Sequence, residues 1–208
     1  MPIPMREAER APGNVSWAGF PCGKMALIAG ITIYGSIFFY TVQIQAASGL
    51  TELGLTSPSR IGFLTSLASI GVPLGTFVYS RVAKCGVQRL LLAEFLLLAA
   101  GFMLMGRAGS VAGFLAGCAI NQLGAGMLLP TLLVWAMSIL KFEFRGRGTG
   151  LWQSAFALGQ WLSPLVVTVF ALRAGGVMEA FQLLSLVAAA GVVVITVTFL
   201  VAVKPAHV

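Results

Sequence analysis

The sequence contains no aspartate, a single histidine (His207) and few charges of any kind, since 9% of its 208 residues are charged. A soluble domain carries about 25% charged residues, so this chain lacks the material for the polar shell of a soluble core. The missing Asp and His residues also remove the parts of a metal site, a Ser–His hydrolase and a carboxylate dyad. We therefore expect that the protein is not an enzyme and holds no metal and no cofactor.

Cysteine is scarce as well. Cys22, Cys85 and Cys118 do not have the spacing of metal ligands. In the topology derived below, Cys22 and Cys85 face the cytoplasm and Cys118 lies in lipid, so we expect no disulfide. The polar residues 1–24 contain no apolar run of the kind that a signal peptide needs.

Apolar residues dominate what is present: 58% of the residues are hydrophobic and the mean hydropathy is +0.95. Six stretches run almost without a charge, and Glu94 is the only interruption. Each is about the length that crosses a ~30 Å hydrocarbon core at ~1.5 Å per residue. Lipid cannot bond exposed peptide groups, so the spans must be helical. The charge-poor stretches are 25–51, 61–80, 90–106, 108–140, 148–172 and 180–203.

The sequence thus predicts an all-α, polytopic membrane protein with six transmembrane helices. The domain organisation is an N-terminal tail at 1–24, a six-helix transmembrane domain at 25–203 and a C-terminal tail at 204–208. The predicted helices are Met25–Ala47, Ile61–Val82, Arg89–Met105, Val111–Leu140, Thr149–Leu172 and Val177–Val203.

The orientation follows from the distribution of lysine and arginine, which collect on the cytoplasmic side of membranes. Ten of the 13 basic residues fall on one side of the predicted bundle, so both termini are expected in the cytoplasm. The net charge of +7 has the same explanation, and we expect no nucleic acid partner. The ten are Arg6, Arg10, Lys24, Arg81, Lys84, Arg89, Lys141, Arg145, Arg147 and Lys204; the other three are Arg60, Arg107 and Arg173.

Polar and aromatic residues form stripes on the first, fourth and fifth helices. An unpartnered amide in hydrocarbon costs several kcal/mol, up to ~4–8 on an alkane scale. These three helices are therefore expected inside the bundle, with the third and sixth peripheral. The stripes favour one solute cavity, although interhelical hydrogen bonding explains any single residue as well. The predicted cavity residues are Tyr34, Thr41, Gln45, Asn121, Thr131, Trp135, Gln153 and Gln160.

Glu94 invites a proton-linked interpretation because it is the only formal charge inside a span. It lies five residues from Arg89, about 7.5 Å along the helix, so we also expect that its carboxylate reaches the interface.

Glycine and proline provide further expectations. Gly71 with Gly75, and Gly113 with Gly117, have the spacing that permits close helix contact. Pro73, Pro130 and Pro164 predict kinks, as static bends or as hinges. The stretch 146–150 is expected to form a tight cytoplasmic turn, since it lacks the preceding strand and the Lys-Ser/Thr ending of a phosphate loop.

Two long segments resemble a known family. The stretches 124–130 and 140–164, with Gly124, Pro130, Gln160 and Pro164, are similar to the tenth and eleventh helices of major facilitator superfamily transporters, closest to the bacterial efflux-permease type. Phe39-Tyr40-Thr41-Val42-Gln43-Ile44-Gln45 resembles the seventh helix of that group.

The loop from Gly75 through Arg81 and Gly86 to Arg89 resembles the second copy of the family's cytoplasmic loop motif. Tyr79 and Ser80 stand before Arg81, so the acid of the family pattern is missing. The gate or loop arginines that the resemblance suggests are Arg81, Arg89, Arg145 and Arg147.

The resemblance covers about residues 25–203 and implies a half-bundle with a 3+3 repeat, since family members have two halves of six helices around a midplane site. It implies the C-terminal half, with residues 1–24 similar to the linker between halves. Helices one and four would line the cavity, two and five would face the partner half, and three and six would be peripheral. The implied function is efflux-type transport of a small organic solute in the plasma (inner) membrane.

Three hypotheses stay open. The chain works with an N-terminal six-helix half, or two copies form a homodimer, or it is a non-transporting membrane protein that acts, if at all, through a partner. Neutral amides with Tyr and Trp favour an amphipathic or lipophilic organic solute over a strongly charged ion, and sugars also fit.

Overall fold

Helices account for nearly all of the backbone that the computed structural model describes, residues 17–202, of which 198–202 are described by backbone alone. This part of the chain contains no strand. Short 3-10 turns, Ala83–Cys85 and Phe142–Phe144, join two pairs of helices. The helices are α1 (Cys22–Glu52), α2 (Pro58–Ser69), α3 (Gly71–Val82), α4 (Val87–Gly106), α5 (Val111–Ser138), α6 (Arg145–Ala174) and α7 (Val177–Ala202).

Six helical segments are long and apolar enough to cross a membrane, with α2 and α3 counted as one span, Pro58–Cys85. The predicted fold class is confirmed, and the predicted boundaries agree within a few residues. Of the predicted tails, residues 1–16 and 204–208 lie outside the described residues, and so does His207.

The second span breaks near its middle at Ile70. Pro73 has no backbone N–H, so the carbonyl of Ser69 loses its usual helical partner four residues later. The predicted distortion at Pro73 is therefore confirmed. Pro130 and Pro164 instead lie inside the continuous helices α5 and α6.

The six spans form two sets of three in chain order, α1, α2–α3 and α4, then α5, α6 and α7, and each set packs on spans of the other. The first span of each set packs against the second span of the other, α1 against α6 and α5 against α3. The third spans, α4 and α7, pack against each other, and α4 also packs against α5. The centre of the bundle holds aromatic rings that are almost completely buried: Phe38, Phe95, Phe102, Phe114 and Phe181.

Glycine allows α3 and α5 to approach until their backbones touch. A Cβ atom at Gly75 would lie 2.2 Å from the Leu123 carbonyl oxygen, and one at Gly126 would lie 2.1 Å from that of Val72. The predicted close contact at Gly71 and Gly75 is confirmed.

The second glycine pair behaves differently. Gly117 contacts α4, where a Cβ would lie 2.7 Å from the Met105 nitrogen. A Cβ at Gly113 would meet only its own N-terminal turn, at Ser110 and Ala108. The packing prediction for Gly113 is therefore wrong.

Burial differs from the distribution that polarity predicted. Of the residues in the most apolar stretch of each span, 56% are buried in α4 and 56% in α5, whereas 28% are buried in α6 and only 17% in the second span. The apolar α4 is buried because it packs on both α5 and α7. Polarity indicates which faces avoid lipid, but it does not say which neighbours this chain supplies.

The predicted turn at residues 146–150 is wrong, because α6 already begins at Arg145. Thr149 donates its hydroxyl proton to the Arg145 carbonyl at 2.8 Å, so the stretch is the first turn of a helix.

At the opposite end of the bundle, α6 ends at Ala174 and is followed by Gly175, whose φ of +103° favours glycine. The next helix, α7, is capped from a distance by Glu52 at the end of α1. The Glu52 carboxylate accepts the backbone N–H groups of Val177 at 2.8 Å and Met178 at 3.0 Å.

Candidate functional site

A chain of amide hydrogen bonds joins α1, α5 and α4. Gln43 Nε2 donates to Gln122 Oε1 at 2.7 Å, Gln122 Nε2 points to Asn121 Oδ1 at 3.5 Å, and Asn121 Nδ2 donates to the Leu98 carbonyl at 3.1 Å. The middle contact is long for a hydrogen bond. Asn121 and Gln122 are completely buried, whereas Gln43 is exposed.

The Leu98 carbonyl sets the direction of this chain because a carbonyl oxygen can only accept. Asn121 must turn its nitrogen to Leu98, so its oxygen faces Gln122. Gln122 must then turn its nitrogen to Asn121, so its own oxygen faces Gln43. Gln43 Oε1 remains free of any donor within residues 17–202. The network therefore ends in an exposed hydrogen-bond acceptor.

Two glycines let the neighbouring helices close over the buried amides. A Cβ at Gly71 would lie 2.7 Å from Gln122 Cβ, and a Cβ at Gly101 would lie 2.6 Å from Asn121 Cβ. The helix break at Ile70 thus lies beside the network. Tight packing on both sides holds the two amides in fixed positions.

The predicted first-helix stripe faces its neighbours α6 and α7. The Tyr34 hydroxyl donates to the Val187 carbonyl of α7. Thr41 donates its proton to the Ile37 carbonyl at 2.8 Å, so the Ser163 hydroxyl of α6 donates to Thr41 at 3.1 Å. These contacts hold α1 against its neighbours.

Gln45 lies at a cleft of about 430 Å³ between α1, α6 and the start of α7, which Glu52 and Thr168 also line. The side chain is half-buried, and its Oε1 accepts the Ser48 hydroxyl at 3.2 Å. The cleft places Gln45 away from the Gln43 network, although the two residues are neighbours in sequence.

Thr131 and Glu94 meet between α5 and α4. Thr131 Oγ1 donates to Glu94 Oε1 at 2.5 Å, and the Glu94 side chain is completely buried. The expectation that Glu94 reaches the interface is wrong, because the carboxyl turns inward to α5.

The remaining predicted cavity residues are more open. Trp135 is half-buried, and Gln153 and Gln160 are exposed on one face of α6. The structure gives these two glutamines no hydrogen-bond partner within residues 17–202. The eight predicted residues therefore divide between helix contacts, the cleft and the open face of α6, and do not meet in one cavity of this chain.

The arginines of the predicted gate lie at helix ends. Arg81 lies in the last turn of α3 with its guanidinium 4.7 Å from the Phe77 ring centre, and Arg89 lies in the first turn of α4. Arg145 lies 5.9 Å from the Phe142 ring.

Arg147 joins the segment before α1 to the loop before α6. Its guanidinium lies 5.1 Å from the Trp17 ring and 5.9 Å from the Phe144 ring, and Phe20 packs edge-on against Phe144 at 5.6 Å. Cation–π contacts of this kind contribute about 0.5–1 kcal/mol where they are exposed. They tie residues 17–20 to the α5–α6 connection.

Sequence reasoning missed Gln43 and Gln122 as a bonded pair. The available signal was the adjacent amides Asn121 and Gln122 in the middle of an apolar helix, since consecutive residues point to different neighbours. What the arrangement offers chemically is neutral donors, acceptors and rings, which suit binding. Within residues 17–202 no three metal-binding side chains cluster.

Comparison with family models matches residues 24–208 to the model described as Major Facilitator Superfamily. No match is found among curated proteins.

Proposed function

Because the chain belongs to the Major Facilitator Superfamily, we propose that it forms the C-terminal half of a transporter that exports a small organic solute. The family implies secondary transport of small solutes, and the six apolar helices make the chain a multi-pass membrane protein. The export direction rests on the resemblance of α5 and α6 to efflux permeases.

The observation that carries the proposal is the polar open face of α6. Gln153 and Gln160 are exposed and unpartnered in the described chain, in the part of a helix that would cross lipid. An amide in hydrocarbon without a partner costs several kcal/mol, so these residues need water, a solute or another protein helix. A second six-helix half opposite α6 and the α2–α3 span would supply protein helices and would enclose a path for water and solute beside these amides.

We propose that the partner is an N-terminal half, with a second copy of this chain as the alternative. The α2–α3 span and α6 are the least buried of the six described spans and expose large apolar side chains, which lipid or protein can cover, so the amides of α6 are what favours protein on this side. Examples of the exposed apolar side chains are Phe63 at 69%, Phe77 at 57% and Trp161 at 65% exposure. Residues 1–24 would then belong to the linker between halves.

Gln43, Gln153 and Gln160 are the residues that we expect to meet the solute. Gln43 offers an acceptor whose direction the buried amides fix, and Trp161 adds an exposed aromatic ring next to Gln160. Amides and rings suit an amphipathic organic molecule that carries a hydrogen-bond donor.

The experiment measures ethidium accumulation in cells that lack their main efflux pumps. The chain is expressed alone, with the six-helix half encoded nearest to it, and as the pair carrying Gln43→Leu and Gln160→Leu. We expect the unmodified pair to lower ethidium accumulation and the chain alone to leave it unchanged. The pair that carries both substitutions should lose most of the effect. The matched control is Val193→Leu on the exposed face of α7.

Other results decide between the alternatives. Export by the chain alone, with crosslinked dimers, would replace the N-terminal half by a second copy. If no combination exports ethidium or other amphipathic dyes, the chain is a non-transporting protein that acts through a partner.

We also propose the plasma (inner) membrane as the location, with both termini in the cytoplasm. The support is the charge distribution, with ten of 13 basic residues on one side. A reporter fused after Val208 should be active only in the cytoplasmic form; activity of a periplasmic reporter there contradicts this topology.

A further inference from the structure

An apolar groove of about 390 Å³ lies between α1 and α7 and is also lined by Phe95 of α4. Two of its lining residues, Leu27 of α1 and Val194 of α7, are 41% and 61% exposed. The groove therefore opens to the outside of the bundle. None of the three glutamines that we expect to meet the solute lines it, so it is separate from the proposed solute path.

Glycines give the groove its shape. A Cβ at Gly30 would meet nothing within 4 Å, so the space beside this part of α1 is open. A Cβ at Gly191 would lie 2.7 Å from the Tyr34 ring and 3.1 Å from the Phe95 ring, so the backbone of α7 lies directly against both rings. The two rings are stacked on each other with their centres 5.5 Å apart. One wall of the groove is therefore a fixed aromatic surface.

The lining of the groove offers no free polar side chain. Tyr34 is the only lining residue with a polar group, and its hydroxyl donates to the Val187 carbonyl. The other lining residues are glycines or apolar residues. A polar ligand would lose its hydrogen bonds to water here without gaining others. The groove therefore suits a hydrocarbon chain.

The position of the groove matches one leaflet of a membrane. From Ala26 to Tyr34 it follows α1 for about 12 Å at ~1.5 Å per residue, whereas one leaflet contributes about 15 Å to the hydrocarbon core. The surface of α7 beside it is apolar and exposed, at Val193 and Val197. Lipid tails that cover this surface can enter the groove directly.

Basic side chains lie at the end of the bundle where the groove begins. Lys24 is exposed two residues before Ala26, and the first turn of α1 contains no acidic residue. Arg89 is exposed in the first turn of α4, which starts at the same end as α1 because one span lies between them. Neither forms an ion pair within residues 17–202. Exposed cations at this level attract anionic lipid headgroups.

We propose that the groove binds one acyl chain of an anionic phospholipid, with the phosphate of that lipid near Lys24. Burial of the chain against the two rings supplies the affinity, and the lysine supplies the preference for a negative headgroup. In the proposed topology the lipid belongs to the cytoplasmic leaflet. The site is independent of the proposed function, since it needs neither a partner half nor a solute.

Native mass spectrometry of the full chain tests the headgroup. The purified chain is offered phosphatidylglycerol and phosphatidylcholine with identical acyl chains at equal concentration. We expect one retained lipid and about a fivefold preference for phosphatidylglycerol, the effect of one lysine beside an anionic headgroup. Lys24→Gln should still retain a lipid but lose the preference. Equal retention of the two lipids by the unmodified chain overturns the proposal.

A matched pair of variants tests the groove. Gly30→Phe fills the open space with a ring and should lose most of the retained lipid. Gly62→Phe places the same ring at a glycine of the second span that also meets nothing within 4 Å, and should keep the lipid. Full retention by Gly30→Phe, or equal loss from both variants, overturns the proposal.

A photoreactive lipid keeps the test decisive if Gly30→Phe does not fold. Phosphatidylglycerol with a diazirine in one acyl chain is irradiated with the unmodified chain, and the labelled peptides are identified. We expect label at residues 26–34 and 191–195 that persists in excess phosphatidylcholine. Label spread evenly over the exposed residues of all six spans overturns the proposal, because it shows surrounding bulk lipid only.

Discussion

At the scale of single residues, the contact between α3 and α5 depends on glycines that have no side chain to separate the backbones. Gly75 and Gly126 each lie against a carbonyl oxygen of the other helix. Without a hydrophobic force between helices in lipid, such close packing is what holds spans together.

We expect Gly75→Ala to destabilise the chain, because its methyl group would lie 2.2 Å from the Leu123 carbonyl oxygen. Overpacking of this kind typically costs about 1–3 kcal/mol. Gly62→Ala, in the first half of the same span, meets nothing within 4 Å and should be neutral or slightly stabilising. Thermal unfolding of both variants in detergent checks this, and equal melting temperatures would show that α3 and α5 are not in contact.

The amide side chains differ in their contacts, because Asn121 and Gln122 bond to other helices whereas Gln160 is exposed, and this difference gives a second prediction. Asn121→Ala removes the donor to Leu98 and leaves Gln122 without its anchor, so we expect lower stability. One interhelical hydrogen bond in a membrane contributes about 0.6 kcal/mol, at most about 1.7. Gln160→Leu should leave stability unchanged or raise it in the chain alone, since Gln160 is exposed and has no hydrogen-bond partner within residues 17–202.

The measurement is unfolding of the purified chain together with ethidium export by the pair. Asn121→Ala should lower the first, and Gln160→Leu should reduce only the second. The reverse assignment would mean that the open face of α6 packs against this chain itself.

At the scale of helices, α7 depends on a cap that comes from α1. Glu52 accepts two backbone N–H groups of the first turn of α7, where helix amides otherwise lack partners. A carboxylate is also favourable beside the positive end of a helix.

We expect Glu52→Ala to fray the start of α7, with faster hydrogen exchange at residues 177–180 than in the unmodified chain. Glu143→Ala, which alters an exposed glutamate between α5 and α6, is the control and should leave that segment unchanged. If exchange at the start of α7 is insensitive to Glu52, the cap does not form in the membrane.

The helices themselves were predictable from the sequence because spans need about 20 apolar residues and charges mark their ends. The break at Ile70 was foreseen through Pro73. The early start of α6 at Arg145 was not, because glycines at 146, 148 and 150 are typical of turns while the neighbouring packing decides the outcome.

The site was less predictable for a related reason. Composition identified polar helices, but the partner of each side chain depends on rotation about the helix axis and on tertiary contacts. Gln43 and Gln45 are two residues apart, yet one joins α5 and the other lies at the α1–α6 cleft. Glu94 was expected at the interface because the sequence gives its distance along the helix from Arg89. The sequence does not give the direction in which its side chain points.

At the scale of the whole molecule, burial is unevenly distributed among the six spans. The α4 and α5 spans are enclosed, whereas α6 and the α2–α3 span leave most of their surface open. The open surface of α6 carries amides, whereas the exposed residues of α7, such as Val193, are apolar. Two kinds of open surface imply two kinds of surroundings, protein or water on one side and lipid on the other.

Photo-crosslinking distinguishes these surroundings in cells that contain the partner half. A benzophenone side chain is placed at Gln160 on α6 and, in a separate variant, at Val193 on α7. We expect position 160 to give a protein adduct and position 193 to give none, because lipid tails cover the exposed face of α7. An adduct twice the mass of this chain would identify a second copy, a heterologous adduct would identify another half, and lipid labelling at position 160 would contradict the covered face.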